Sequence, residues 1–273
     1  MKNQPTRANE ETLCPATSAV TQRSGLQVRS SSIWANVVSS LLLRVASRTS
    51  FVLLGFYLGE RFASTTLVVL VIEAFYLTEL TLAPISGSLS DRWGRKPFLL
   101  LAPFLGALAA LFLLGGSLLS HPTHHVAFNP RLALFLLLIL CGRLLEGATT
   151  AFNTPACLGY ITDTTAHAPY MRARVMTAFE VVTVGGIALA IPFGGQVSTW
   201  LGIWGFLVVV GLHALNMLIV AFVVQEHEQR VTRTAHRTSL LESFKMLREK
   251  RVFTFLPAWL SISSLVGSWT TLA

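Results

Sequence analysis

Long apolar runs alternate with short polar stretches along the chain. The apolar runs fall at about 36–59, 66–88, 98–119, 132–155, 176–197, 202–224 and 252–273. Each is long enough to cross a bilayer as a helix, which takes roughly 20 residues. None shows the ten-residue alternation of a barrel strand, so an all-α polytopic membrane protein is expected. Residues 1–32 are polar and rich in Ser, Thr, Asn and Arg, without the apolar core and cleavage site of a signal peptide, and read as a disordered cytoplasmic tail. Residues 225–251 form a long polar loop before the seventh run. Ser239 and Glu242 make a capping box there, and Leu240, Phe244 and Leu247 share one face beside Lys245, Arg248, Lys250 and Arg251. This pattern predicts a short interfacial helix introducing the seventh span.

Composition narrows the class. Of 273 residues, 52% are hydrophobic and 12% charged, with a mean hydropathy of +0.60. Soluble domains carry about 25% charged residues, so a soluble enzyme or a disordered chain is excluded. Cys14, Cys141 and Cys157 lie far apart and suggest neither a disulfide framework nor a metal centre. The net charge of +8 does not point to nucleic acid, because the basic residues are divided among the connections between apolar runs. Lys2, Arg7, Arg23 and Arg29, then Arg92, Arg95 and Lys96, then Arg172 and Arg174, and finally the 225–251 loop all fall on one side. Only Arg61 and Arg131 fall on the other. The positive-inside rule therefore places the N-terminus in the cytoplasm of a multi-pass cell-membrane protein, with anionic lipid as a further attraction.

Charges inside the runs are concentrated. Arg44 and Arg48 lie in the first, Glu73 and Glu79 in the second, Arg143 and Glu146 in the fourth, and Glu180 in the fifth. The third and sixth contain none. A charge at bilayer depth costs about 2.5–3.5 kcal/mol on insertion scales, so these groups should face a cavity or one another. Spans 1, 2, 4 and 5 are expected to surround a polar solute pathway. The sequence also echoes itself: Pro84, Gly87, Ser90 and Gly94 recur as Pro192, Gly195, Ser198 and Gly202, all 108 residues later. One copy closes span 2 and the other span 5, at opposite ends. Three spans followed by three inverted ones is the repeat plan of secondary transporters.

Between spans 2 and 3 runs Gly87-Ser-Leu89-Ser-Asp91-Arg92-Trp-Gly94-Arg95-Lys96-Pro97. It resembles the G-x-L-a-D-r-x-G-r-k signature of the major facilitator superfamily. Glycine permits the tight turn, and Asp91 and Arg95 supply a charge pair. The resemblance implies a conformational gate of Gly87, Asp91, Arg92, Gly94, Arg95 and Lys96, latched to an acidic residue at the inner end of span 4. Asp163, ending Gly159-Tyr-Ile-Thr-Asp163, looks like that partner, with Arg172 or Arg174 able to join. In span 4, Arg143-x-x-Glu146-Gly147-x-x-x-Ala151 is similar to the family's R-x-x-q-G-x-g-a-a pattern, whose arginine is linked to proton coupling. An arginine held for packing is the alternative. In span 5, Pro192 and Gly195 hold two places of the antiporters' g-x-x-x-G-P-x-x-G-G, but Ile191 and Gln196 depart from it. A bent, close-packed helix accounts for these residues equally well.

Arg44 and Arg48 share one face of span 1. Arg48 and Glu79 reach comparable depth, so they are candidates either for a substrate-anion or coupling site, or for a salt bridge joining spans 1 and 2. Arg44 is expected to snorkel to the inner surface. Glu79 and Glu146 are the favoured protonatable carboxylates. His121, His124 and His125 in the outer loop have no carboxylate or cysteine beside them and read as solvated. No nucleotide-binding loop, catalytic triad or metal cluster appears, so neither enzymatic activity nor a cofactor is expected.

The resemblance thus implies a six-helix bundle over 33–224, built as a 3+3 inverted repeat, followed by the 225–251 loop and a seventh helix over 252–273. That seventh helix reads as the start of a second bundle. Alternating access requires two bundles, so the chain is expected to be truncated and to partner with a missing C-terminal bundle or a second copy. The expected task is proton-coupled efflux of a small solute. Proton-coupled uptake of a metabolite or sugar, and a truncated membrane protein without transport of its own, are the alternatives.

Overall fold

The computed structural model describes residues 30–61, 65–119, 130–166 and 168–225. The tail up to residue 29, most of the histidine loop, the interfacial helix of 238–251 and the seventh span lie outside these residues. Residues 30–32, expected in the disordered tail, instead open the first helix, with Ser32 buried. Six long helices are present among them: α1 (Ser30–Arg61), α2 (Thr65–Trp93), α3 (Arg95–Leu119), α4 (Pro130–Thr164), α5 (Pro169–Leu201) and α6 (Gly205–Phe222). They fall on the first six apolar runs, and no strand occurs among the described residues. Among the described residues, four stretches have the length and hydropathy to cross a membrane: Ser30–Glu60, Arg95–Leu119, Pro130–Thr164, and Pro169–Phe222, which takes in both α5 and α6. Prolines start α4 and α5, where the missing N–H costs nothing.

The packing follows the inverted repeat. α4 lies along α3 and α2, while α1 lies along α6 and α5; α3 packs on α6. Advancing each helix by three places maps this set of contacts onto itself. The 108-residue echo is part of the same symmetry. Among the described residues, the two glycines with positive φ are Gly94 (φ 100) and Gly202 (φ 51). Each terminates its helix by donating its backbone N–H to the carbonyl of the echoed serine, Gly94 to Ser90 (3.1 Å) and Gly202 to Ser198. The left-handed backbone that glycine allows thus closes α2 at one end of the bundle and α5 at the other.

Two apolar layers bracket a polar middle. At the end carrying the α2–α3 turn, Ile33, Phe98, Tyr160, Val175, Phe179 and Val220 form one buried cluster. At the opposite end, Leu54, Leu58, Leu113, Phe135, Val197 and Phe206 form the other. The first layer is pinned by a closed ring of hydrogen bonds joining α1, α4 and the end of α6. The Gln225 N–H donates to Ser32 Oγ (2.9 Å), Ser32 Oγ bonds Tyr160 Oη (2.6 Å), and Tyr160 Oη donates to the Gln225 carbonyl (3.0 Å).

Candidate functional site

The polar middle is built on α1, α2 and α4. One face of α1 carries Ser32, Asn36, Ser40, Arg44 and Arg48 at every fourth position, and α4 answers it. Cys157 Sγ lies 3.1 Å from both Asn36 Nδ2 and Ser40 Oγ, and Arg44 donates from Nη2 to Thr154 Oγ1 at 3.0 Å. Arg44 therefore does not snorkel to a surface. Its stem is held where α5 passes so close that a Cβ on Gly186 would come to 2.9 Å from the Arg44 Cβ, and its head turns across to α4.

Arg143 and Glu146 are ion-paired within α4 and almost completely enclosed. The spacing that places them on one helix face brings them together. The Arg143 guanidinium lies 5.6 Å from the Phe51 ring centroid and 5.1 Å from that of Phe75, and Arg48 lies 5.9 and 5.7 Å from the same two rings. Two arginines from different helices thus share one aromatic pair, each within reach of a cation–π attraction.

Arg48 and Glu79 do not form the salt bridge their depths allowed. Arg48 donates from Nη1 to Tyr76 Oη at 3.3 Å, and no ion pair joins it to Glu79 among the described residues. Glu79 is half-buried and within electrostatic range of both Arg44 and Arg48. Depth along two helices fixes only height; the rotation of α2 places Tyr76, three residues earlier, against Arg48. Glu73 and Glu180 are exposed.

The second constellation lies at the α2–α3 turn. Gly94 ends α2 and α3 starts at Arg95, so the turn holds Arg95 against the ends of α2 and α4. Its guanidinium pairs with Asp91, donates from Nη1 to Ser90 Oγ (2.8 Å), and reaches Asp163 Oδ2 from Nε at 3.3 Å. Asp163 joins Asp91 and Arg95 in one cluster. Gly159 seats that cluster: a Cβ there would overlap the Arg95 guanidinium. Gly159 opens the run ending in Asp163, and the sequence reading gives it no role; its position one turn before Asp163 is the available signal. Lys96 donates to the Ala221 carbonyl in the last turn of α6 (3.0 Å), a use of lysine at a helix C-terminus. Arg92, Arg172 and Arg174 are exposed.

The packing glycines divide. A Cβ on Gly147 would overlap the Phe75 backbone carbonyl, so this residue sets the closest approach of α4 to α2. Gly87 lies 3.6 Å from Pro155 by the same measure, and the neighbouring Ser86 donates its hydroxyl to the Ala151 carbonyl. Gly195 has open space around it; the contact with α1 falls on Gly194, whose Cβ would come to 2.9 Å from that of Val52. One residue is about 100° of helix rotation, enough to move a glycine off the interface. Pro192 lies inside α5 and is exposed.

Two further polar residues lie in the sixth apolar run, which holds no Asp, Glu, Lys or Arg. His213 and Asn216, three apart on α6, are fully buried, and among the described residues neither side chain has a hydrogen-bond partner. The His213 ring fills the space beside Gly106 of α3. Their i, i+3 spacing in an otherwise apolar helix was the legible sign. Among the described residues no group of His, Cys, Asp and Glu is arranged to hold a metal.

The family model of the Major Facilitator Superfamily matches residues 37–273; the chain belongs to this superfamily of multi-pass membrane proteins, which move small solutes across membranes.

Proposed function

We propose that this chain carries out proton-coupled efflux of a small solute by alternating access. Its solute path runs between α1, α2 and α4, and its gate lies at the α2–α3 turn. The observation that carries this reading is the buried polar layer between two apolar ones. Arg143 and Glu146 are enclosed and Arg48 and Glu79 half-buried between those layers, the depth at which a bilayer would penalise charge most, which supports a role with ions or substrate. Glu79 and Glu146 are the carboxylates assigned to proton exchange, with Arg143 holding Glu146. Asp91, Arg95 and Asp163 close the cytoplasmic side and favour the outward-facing state, with Gly87, Gly94 and Lys96 shaping the turn. A second six-helix bundle, from a C-terminal continuation or a second copy, supplies the other wall of the path.

Import on the same framework is the second reading. It is favoured by the departure of Ile191 and Gln196 from the antiporter pattern in α5. Proteoliposomes loaded with a pH-sensitive dye separate the two. Added solute should drive protons opposite to itself in efflux by antiport and with itself in symport. Glu79→Gln and Glu146→Gln should each abolish the proton signal. Absence of solute-evoked proton movement across panels of carboxylates, sugars and amphipathic drugs would overturn proton coupling.

A further inference from the structure

The three arginines of the polar layer are not in the same condition. Arg143 has its carboxylate in contact and is enclosed on all sides. Arg44 and Arg48 do not. A guanidinium offers five N–H donors. Among the described residues, Arg44 has one hydrogen-bond partner, the Thr154 hydroxyl, and Arg48 has one, the Tyr76 phenol. Both partners are neutral, and both arginines are half-buried in the middle of α1. They stand one helical turn apart on the same face, where like charges repel. Glu79 and Glu180 are within electrostatic range of Arg44, yet neither closes to an ion pair among the described residues.

We propose that Arg44 and Arg48 together form the binding site for a small organic anion, whose carboxylate or phosphate oxygens accept hydrogen bonds from both guanidiniums between α1, α2 and α4. The assignment rests on the reading above that this seam faces the solute path, and it names the substrate class for it. An anion bridging the pair relieves the repulsion and occupies donors that the protein leaves unused. Charge-assisted bonds of this kind are about twice as strong as neutral ones. The scaffold suits the task. Thr154 orients Arg44 from α4, Tyr76 orients Arg48 from α2, and the Phe51 and Phe75 rings support the Arg48 head. Gly186 lets α5 pass close to the base of Arg44, where a Cβ on the glycine would come to 2.9 Å from the Arg44 Cβ. The Arg143–Glu146 pair, neutral as a unit, adds no competing charge.

Equilibrium thermal shifts of the purified protein in detergent test this independently of any flux. The probes are benzoate, succinate and inorganic phosphate, with benzamide as the uncharged counterpart of benzoate. At least one anion should raise the melting temperature saturably and benzamide should not; whether carboxylate or phosphate prevails identifies the anionic group. Arg44→Gln and Arg48→Gln should each weaken the apparent affinity by about tenfold or more, the scale of a hydrogen bond to a charged group. The ligand-free melting curve reports whether each variant folds. If Arg48→Gln does not, Arg48→Lys, which keeps the charge and loses the planar fork, should still weaken binding. No shift with any of the three anions, an equal shift with benzamide, or full affinity in the arginine variants would overturn the proposal. A protein that binds the anion yet moves no protons would instead overturn proton coupling alone.

Discussion

Two helix pairs, α1 with α4 and α3 with α6, occupy the same kind of position in the inverted repeat, since advancing each helix by three places exchanges the members of each pair. Their chemistry is opposite. Between α1 and α4 runs a column of polar contacts: Ser32 with Tyr160, Asn36 and Ser40 with Cys157, and Arg44 with Thr154. Between α3 and α6 the approach is close enough for the His213 ring to fill the space beside Gly106. The comparison separates what repeat symmetry fixes from what it leaves free. Symmetry fixes which helices meet. Side-chain choice then makes one meeting a wall and the other a lined seam, and only the seam carries charges that a bilayer would otherwise expel.

The most damaging way to break the seam is to strip one partner from its buried ion pair. Arg143→Met leaves Glu146 enclosed without its counter-charge, and removing one member of such a pair costs about 3–5 kcal/mol. Thermal unfolding in detergent should show that loss. The double variant Arg143→Met with Glu146→Leu should recover most of the stability while solute flux stays abolished. Equal stability of the single and double variants would mean that the pair is not coupled in the fold.

The wall breaks by a different mechanism and should fail less severely. Gly106→Val places a side chain against the His213 ring, and overpacking of this kind costs about 1–3 kcal/mol. His213→Ala in the same molecule should restore stability by clearing the space, with flux per folded molecule unchanged. If His213→Ala gives no rescue, the close approach of α3 and α6 is wrong.

How much of this was legible in the sequence differs between the two levels. The six helices were legible because each rests on a single local quantity, a long apolar run that only a helix can carry across lipid. The turn was equally plain: Gly94 is a residue whose required backbone names it, and its echo at Gly202 reports the second copy of the same device. What depends on the rotation of one helix against another was not legible. Depth put Arg48 beside Glu79, but the phase of α2 delivers Tyr76 instead. The motif resemblance put a packing glycine of α5 at Gly195, whereas the contact with α1 falls one residue earlier, on Gly194. Arg44 looked like a snorkelling residue because nothing in its own segment reveals Thr154 some 110 positions away. His213 is a single histidine inside an apolar run, and nothing in its own segment reveals that its ring fills the space beside Gly106 of α3.

The α2–α3 turn, the proposed gate, offers a finer comparison, between two carboxylates on one guanidinium. The Asp91 side chain is 60% exposed and that of Asp163 35%, so water screens Asp91 more. Exposed pairs are worth up to about 1 kcal/mol, which bounds either effect near fivefold. Asp163→Asn should therefore shift the accessibility of engineered cysteines at this end of the bundle more than Asp91→Asn does. Raising the salt concentration should reduce the difference. The reverse order would mean that the within-turn pair, not the tie to α4, holds the proposed gate.

The smallest expected effect lies in the seam itself, at Cys157. Its sulfur meets one amide nitrogen and one hydroxyl, both at 3.1 Å, and serine offers a stronger acceptor of nearly the same shape. Cys157→Ser should change stability by less than about 0.5 kcal/mol and leave flux intact, the range of substitutions that disturb no packing or pairing. Cys157→Val keeps the volume and removes the acceptor. It leaves the buried Asn36 amide with only its longer bond to the Cys157 backbone carbonyl (3.4 Å), which should cost about 1 kcal/mol. The contrast between these two variants sharpens the comparison between seam and wall: a polar seam tolerates a change of atom and punishes a loss of polarity. If valine is tolerated as well as serine, the α1–α4 contact is held by packing, as α3 and α6 are, and the distinction between them disappears.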